Sequence, residues 1–148
     1  MSDVTIFRGK RAISPFLPDS IPELDSDQLD AGDDMFRDKD KLLFSDPGAG
    51  KTLTALHALV QVYEADETAE TIVVCPSIAV MTWAVWIAKV WSDIGRRAHI
   101  HIVKDGKDKV PDDATHIIVT YGLLSRSAHL QRQPACSQNL LQVCHIAK

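Results

Sequence analysis

The sequence predicts an α/β fold in which a mostly parallel β-sheet is flanked by helices. Residues 71–75 and 116–120 are β-branched apolar runs typical of strands buried on both faces, and 99–103 alternates as a strand does. Apolar residues recur at helical spacing over 51–63, and 78–91 is long enough for a second helix. Strands that alternate with helices indicate βαβ units and therefore a parallel sheet.

The part of the chain before these elements is less regular. Residues 1–27 contain several proline dipeptides that favour extended or turn conformations, so we expect an N-terminal extension that is partly disordered. A weak helical stripe over 27–40 predicts a short helix. The apolar residues 41–44 are typical of a strand, and the turn sequence of 45–50 ends it.

Composition excludes several classes of protein. A chain of 148 residues with 45% hydrophobic and 24% charged residues is typical of one soluble globular domain. The longest apolar stretch, Ile78–Val90, is too short and too polar for a membrane span, and no secretory leader opens the chain. The three cysteines match neither a disulfide framework nor a zinc site. We therefore expect a cytoplasmic protein without a membrane partner.

The most informative segment is a glycine-rich turn between an apolar strand and an amphipathic helix. It consists of Ser45, Asp46, Pro47, Gly48, Ala49, Gly50, Lys51 and Thr52. Glycines let successive backbone N–H groups face phosphate oxygens, and the positive end of the next helix points at the same anion. Lys51 would then reach the β- and γ-phosphates, and the Thr52 hydroxyl would ligate Mg²⁺. The strict pattern has glycine at the position of Ser45, where a small residue still permits the turn.

Residues 42–56, around this loop, resemble motif I of the superfamily 2 helicases, and they are closest to the Snf2-like DNA translocases. Three further segments resemble family motifs in the expected order: QLDAG at 28–32 the adenine-reading motif, VVCP at 73–76 with Trp83 motif Ia, and HIIVTYGLL at 116–124 the strand and turn that follow. The resemblance covers residues 28–126. It implies part of a RecA-like P-loop NTPase domain that uses ATP and Mg²⁺.

The same resemblance implies roles for three residues outside the loop. Gln28 would hydrogen-bond the adenine edge, which needs both the donor and the acceptor of an amide. An exposed glutamine in an acidic helix explains Gln28 equally well. Ser77 and Thr82 would contact the phosphates of one DNA strand, with DNA as the partner of the full-length protein and a second helicase lobe absent from this chain.

Other conspicuous residues are better explained without a ligand. Trp83, Trp86 and Trp91 follow helical spacing, so we expect them in the hydrophobic core. The local basic clusters are Arg96–Arg97 and the lysines of 104–109, and we expect both to be solvated loops. The net charge of −4 argues against a broad electrostatic footprint for nucleic acid.

Residues needed for hydrolysis are missing from the pattern. All 20 carboxylates lie at or before Asp113, whereas the family carries a DExH box on a strand soon after the segment at 116–124. Residues 139–146 permit an apolar strand or one face of a short helix, but they contain no carboxylate. We therefore assign no catalytic residue, and we expect weak ATP binding at most and negligible hydrolysis. The patternless tail at 127–148 predicts a truncated or frame-shifted product.

Two other interpretations stay open. The first is a different P-loop NTPase, such as a nucleotide kinase or an AAA-type ATPase, which the matches at Trp83 and 116–124 disfavour. The second is a non-enzymatic module, a decayed or regulatory piece that docks on an intact motor. Short Snf2-like chains of this kind resemble products of bacterial or phage genomes.

Overall fold

The predicted alternation of strands and helices is present in a computed structural model, which describes residues 3–37 and 50–126 and the backbone of 143–144. The elements are β1 (Val4–Arg8), β2 (Arg11–Ile13), α1 (Ser26–Arg37), α2 (Lys51–Ala65), β3 (Thr71–Cys75), α3 (Val80–Asp93), β4 (Ala98–Ile102), β5 (His116–Thr120), α4 (Tyr121–Arg126) and β6 (Val143–Cys144). A 3₁₀ turn, Ser77–Ala79, precedes α3, so the α-helix begins two residues later than predicted. No helix in these described ranges has both the length and the apolar character needed to cross a bilayer.

The described strands form one six-stranded sheet in the order β2-β1-β4-β5-β3-β6. The β1–β2 pair is antiparallel, and the other four pairs are parallel. Strands β3 and β5 pair along their whole length, from Thr71 opposite His116 to Cys75 opposite Thr120. Parallel strands require crossover connections, and α3 makes the one from β3 to β4, which lie on either side of β5. The predicted fold class, an α/β fold with a mostly parallel sheet flanked by helices, is confirmed.

The two faces of the sheet are covered unequally. Helices α2 and α3 cover one face with a large core that includes Leu56, Leu59, Trp83, Ile87, Trp91, Ile100 and Ile118. The other face carries a smaller cluster around Ile72 and Ile117, against which Leu123 and Leu124 of α4 pack. Trp83 and Trp91 are 1% and 0% exposed, which confirms that they are core residues. Trp86 is partly buried and packs against the same large core.

The large core also encloses a histidine. The ring of His116 stacks on Tyr63, with centroids 4.9 Å apart, and meets the edge of Trp91 at 4.5 Å. Its Nδ1 lies 2.8 Å from Oγ1 of Thr115. Complete burial lowers the pKa of His116 to about 3, so the ring is neutral at pH 7. This part of the core is therefore sensitive to acid.

The N-terminal segment contains regular structure, because β1 and β2 lie within the expected extension at 1–27. They form a hairpin through a two-residue turn in which Gly9 has a φ of 59°, and β1 pairs in parallel with β4. Gly9 followed by Lys10, between two mostly apolar segments, is a sequence signal for a hairpin that was not used in the prediction. The prolines that suggested an extension all follow the hairpin, so they leave its hydrogen bonds intact.

Two predicted segments lie wholly or mostly outside the described residues. The strand at 41–44 is one, and most of the tail at 127–148 is the other. Within the tail, the backbone of β6 pairs in parallel with Val73 and Val74 of β3. A strand is therefore present for two residues of 139–146, and the boundaries proposed for the domain at 28–126 stay predictions.

Candidate functional site

The candidate residues lie at the edge of the sheet where its parallel strands end, called here the carboxyl edge. Only residues 66–70 separate the end of α2 from the start of β3, so α2 runs antiparallel to that strand. The first turn of α2, with Lys51, therefore lies at the carboxyl edge. Ser77 follows β3 almost directly and lies at the same edge. Ligands of open parallel sheets bind outside this edge.

Gly50 adopts a conformation that glycine tolerates best. It is the N-cap of α2, with φ 74° and ψ 32° in the left-handed region. Its carbonyl accepts hydrogen bonds from the backbone N–H and from Oγ1 of Thr54, each at 3.0 Å. A Cβ built on Gly50 would collide with Nε2 of Gln28. The left-handed turn thus favours glycine, and a larger residue would also have to displace the Gln28 amide.

The first turn of α2 has the chemistry of an anion site. It contains no acidic residue, and its N-cap provides no side-chain hydrogen bond. The first N–H groups of a helix lack partners within the helix and carry its positive partial charge. Lys51 and Thr52 occupy the first two positions, both partly buried. An ammonium, a hydroxyl and unpaired N–H groups together suit a phosphate with its Mg²⁺; the loop residues 45–49 lie outside the described residues.

Gln28 has a structural role that the sequence analysis did not assign. Its Oε1 accepts the backbone N–H of Asp25 at 2.9 Å, and its own N–H donates to Oδ1 of Asp25 at 2.8 Å. This reciprocal pair is a capping box at the start of α1. The signal was present in the sequence as Asp25-Ser26-Asp27-Gln28, an N-cap residue followed three positions later by glutamine. The amide that caps α1 is also the group that lies against Gly50.

Helix α1 packs on α2 through a close contact at Gly32 and two polar contacts of Asp33. A Cβ built on Gly32 would lie 2.6 Å from Cδ2 of His57 and 3.0 Å from the carbonyl oxygen of Thr54. At the next residue of α1, Oδ1 of Asp33 lies 2.9 Å from Nε2 of His57 and accepts from Nε2 of Gln61, also at 2.9 Å. The hydrogen bond from His57, then that from Gln61, lowers the pKa of Asp33 below its ordinary value. These contacts position the start of α1 beside Gly50.

The two residues proposed for DNA contact lie beyond β3. Ser77 begins the 3₁₀ turn and Thr82 lies in the first turn of α3, and both are exposed. Ile78, between them, is 83% exposed, which is unusual for so large an apolar side chain. Both side chains are therefore accessible, in the segment that follows β3 at the carboxyl edge.

Carboxylates for metal binding and water activation are absent from the C-terminal part of the sequence. Strand β6 lies beside β3, on the side away from β5. The residues that follow it, 145–148, contain no aspartate or glutamate, and neither does any position after Asp113. The candidate site thus has groups that bind phosphate, whereas hydrolysis also requires an aspartate or glutamate near the metal and the water.

Comparison with known proteins agrees with these features. The family model of the SNF2-related domain matches residues 35–146, about three quarters of the chain. The match includes Lys51, Thr52, Ser77 and Thr82, and it begins after Gln28. Neither a curated protein nor a solved structure matched the sequence significantly.

Proposed function

Because the chain belongs to the SNF2-related domain family, we propose that it is the ATP-binding portion of a Snf2-like DNA translocase. The junction at Gly50 is the observation that carries this proposal. A left-handed glycine leads directly into a helix that begins with Lys51 and Thr52, and the Gln28 amide lies against it. This arrangement suits a bound nucleoside triphosphate better than an ordinary turn, which requires neither a lysine nor a glutamine at these positions.

Different residues of the proposed site would contact different parts of the triphosphate. In this proposal Ser45, Asp46, Pro47, Gly48 and Ala49 would belong to the loop that binds the phosphates. The Lys51 ammonium would neutralise charge on the β- and γ-phosphates, and the Thr52 hydroxyl would be a ligand of Mg²⁺. Gln28 would contact the adenine edge with its amide nitrogen as donor and with the second lone pair of Oε1 as acceptor, while that oxygen also accepts the Asp25 N–H. Mg²⁺ would supply further charge neutralisation on the phosphates.

We further propose that this 148-residue chain does not hydrolyse ATP by itself at a measurable rate. In-line attack on the γ-phosphate requires a carboxylate on the metal and a group that orients the water. The residues from 114 to 148 offer neither. DNA contact through Ser77 and Thr82 is the remaining part of the proposal, because backbone and hydroxyl groups position a phosphate strand without reading its sequence.

Titration with a fluorescent ATP analogue tests the binding site. We expect saturable, Mg²⁺-dependent binding that Lys51→Ala weakens by at least about tenfold, since a charged hydrogen bond to phosphate is worth about 1.5–3 kcal/mol. Lys89→Ala is the matched control, because Lys89 pairs with Asp93 on α3 and lies away from α2's first turn. Equal affinity of Lys51→Ala and the unaltered chain would contradict the proposed site.

A turnover assay with and without DNA tests the second proposal. We expect phosphate release no faster than that of Lys51→Ala under either condition. Multiple turnovers that Lys51→Ala abolishes would show that the chain has a catalytic group from another part of the sequence, and they would overturn the proposed inactivity.

A further inference from the structure

The junction at Gly50 has a second polar contact besides the Gln28 amide. Thr54, one turn into α2, donates its hydroxyl hydrogen to the carbonyl oxygen of Gly50 at 3.0 Å. The backbone N–H of Thr54 donates to the same oxygen, also at 3.0 Å. A carbonyl oxygen has two lone pairs, and here both are used by one residue. The carbonyl that begins the hydrogen bonding of α2 is therefore held in a fixed direction.

The direction of this carbonyl decides where the next backbone N–H points. Gly50 is in the left-handed region, with φ 74° and ψ 32°, and glycine has no Cβ that would limit its ψ angle. That angle sets the plane of the peptide group that joins Gly50 to Lys51. Because the peptide group is planar and trans, its carbonyl and its N–H point in opposite directions. A Gly50 carbonyl held along the helix therefore directs the Lys51 N–H outward from the start of α2, where it has no partner within the helix.

The Thr54 hydroxyl is shielded from water. Thr54 is 2% exposed, and it is one of six buried residues of α2, four of which are purely apolar. Helix α1 packs directly over it, since a Cβ built on Gly32 would lie 3.0 Å from the Thr54 carbonyl oxygen. A hydroxyl in such an environment costs stability unless it is hydrogen-bonded. Without water as an alternative partner, it stays on the Gly50 carbonyl.

A buried threonine in a helix commonly bonds the carbonyl four residues before it, and this satisfies the hydroxyl without any further role. Two observations distinguish Thr54 from that case. Its acceptor belongs to the N-cap glycine that leads into Lys51, whereas the usual acceptor is a carbonyl in the helix interior. The same acceptor is already bonded by the Thr54 N–H, so the hydroxyl is not needed to satisfy it. The additional bond restrains the direction of the carbonyl.

We propose that Thr54 is a positioning residue of the nucleotide site, whose hydroxyl fixes the Gly50–Lys51 peptide group so that the Lys51 N–H donates to a phosphate oxygen. Thr54 is too buried to touch the nucleotide, and it acts through the backbone of Gly50. The inference rests on the proposed function, because the anion in question is a phosphate of the bound nucleotide. Two side chains then hold the junction: Gln28 from α1 and Thr54 from within α2.

Thr54→Val tests the role of the hydroxyl, since valine keeps the shape of the side chain and removes the donor. The full chain is titrated with the fluorescent ATP analogue, and its thermal unfolding is followed by circular dichroism. We expect the affinity for the analogue to fall about three- to tenfold, the range for the loss of one hydrogen bond. The Gly50 carbonyl keeps the Thr54 N–H, so no buried acceptor loses its last partner, and the melting temperature should not fall.

Two further variants serve as controls. Thr54→Ser keeps the hydroxyl and removes a buried methyl group, so we expect unchanged affinity and a lower melting temperature. Thr71→Val removes an equally buried hydroxyl, which lies 3.0 Å from the Tyr63 hydroxyl. Thr71 begins β3, at the opposite edge of the sheet from the first turn of α2, and Tyr63 keeps its bond to the Thr115 carbonyl. We therefore expect Thr71→Val to bind the analogue as the unaltered chain does.

A purely structural hydroxyl would give a different pattern. Equal affinity of Thr54→Val and the unaltered chain would overturn the inference, as would equal weakening by Thr54→Val and Thr54→Ser. A lower melting temperature of Thr54→Val, or weakening by Thr71→Val as large as that by Thr54→Val, would also overturn it. If the unaltered chain does not bind the analogue, the proposed function fails and this inference fails with it. Binding that Lys51→Ala weakens and Thr54→Val leaves unchanged would overturn this inference alone.

Discussion

Helix α2 has two sides that contribute differently to the molecule. The side facing the sheet buries Leu56 and Leu59 completely, in a core shared with the tryptophans of α3. The side facing α1 is partly exposed and polar, with His57 and Gln61 both bonded to Asp33. Burial of large apolar side chains dominates folding stability, whereas exposed polar pairs contribute little to it. The first side therefore makes the domain stable, and the second positions the start of α1 beside the proposed nucleotide site.

The largest expected effect on stability concerns the core between α2, α3 and the sheet. Trp91→Ala removes a completely buried indole that also packs against Tyr63 and His116, so we expect a loss of about 3–5 kcal/mol in the free energy of unfolding. Urea unfolding measures it. The exposed neighbour Ile94, replaced by alanine, should change stability by less than about 0.5 kcal/mol. A similar loss of stability in both variants would contradict the placement of Trp91 in the hydrophobic core.

Gly50→Ala tests the side of α2 that faces α1. Gly95→Ala is its control, because the two glycines have similar φ angles. Both glycines have a left-handed φ, 74° and 70°, so alanine should cost each about 1–2 kcal/mol. Around Gly95 nothing lies within 4 Å of a new Cβ, whereas at Gly50 the Cβ meets the Gln28 amide. We expect only Gly50→Ala to weaken ATP-analogue binding; equal affinities of the two variants would contradict the functional role of the junction.

We expect acid to lower the free energy of unfolding through protonation of His116, which lies in the core between the sheet and α2. Its pKa is about 3 in the folded chain and near 6.5 in the unfolded one, so the unfolded state binds more protons below pH 6.5. The contribution of His116 to the free energy of unfolding is complete above pH 6.5, and it is lost as the pH falls toward 3. Between pH 7.5 and 5.5 we expect a loss of about 1.4 kcal/mol in urea unfolding. His116→Phe keeps an aromatic ring beside Tyr63 and should remove this part of the pH dependence; an unchanged slope would contradict it.

The smallest expected effect concerns the capping box at the start of α1. Gln28→Glu keeps an acceptor for the Asp25 N–H and should leave the melting temperature unchanged. Gln28→Ala loses that hydrogen bond, and we expect a decrease of roughly 0.5 kcal/mol, near the lower limit for a single hydrogen bond. Because glutamate lacks the amide donor, Gln28→Glu should weaken binding of the ATP analogue. An unchanged affinity would assign Gln28 to the cap alone.

The sequence predicted the elements whose side chains form strong periodic patterns, and it missed those that depend on a turn or a pairing partner. Strands β3 and β5 consist mostly of β-branched apolar residues, so their type and burial follow from composition. The β1–β2 hairpin has shorter strands and is ordered by its pairing with β4, a contact no local pattern reveals. At the site, the glycine and lysine spacing identified Gly50 and Lys51. The dual contact of Gln28 depends on the packing of α1 on α2, which no local pattern shows.

Hydrogen–deuterium exchange on the full chain, with and without Mg²⁺ and a saturating non-hydrolysable ATP analogue, tests the central claim most directly. The account predicts that the nucleotide slows exchange in peptides covering the start of α1 near Gln28 and the first turn of α2 from Gly50 to Thr54. Peptides from β4, at 98–102, should exchange at the same rate in both samples. Slower exchange confined to β4 and its loop, or no change anywhere at saturation, would contradict a nucleotide site at the start of α2.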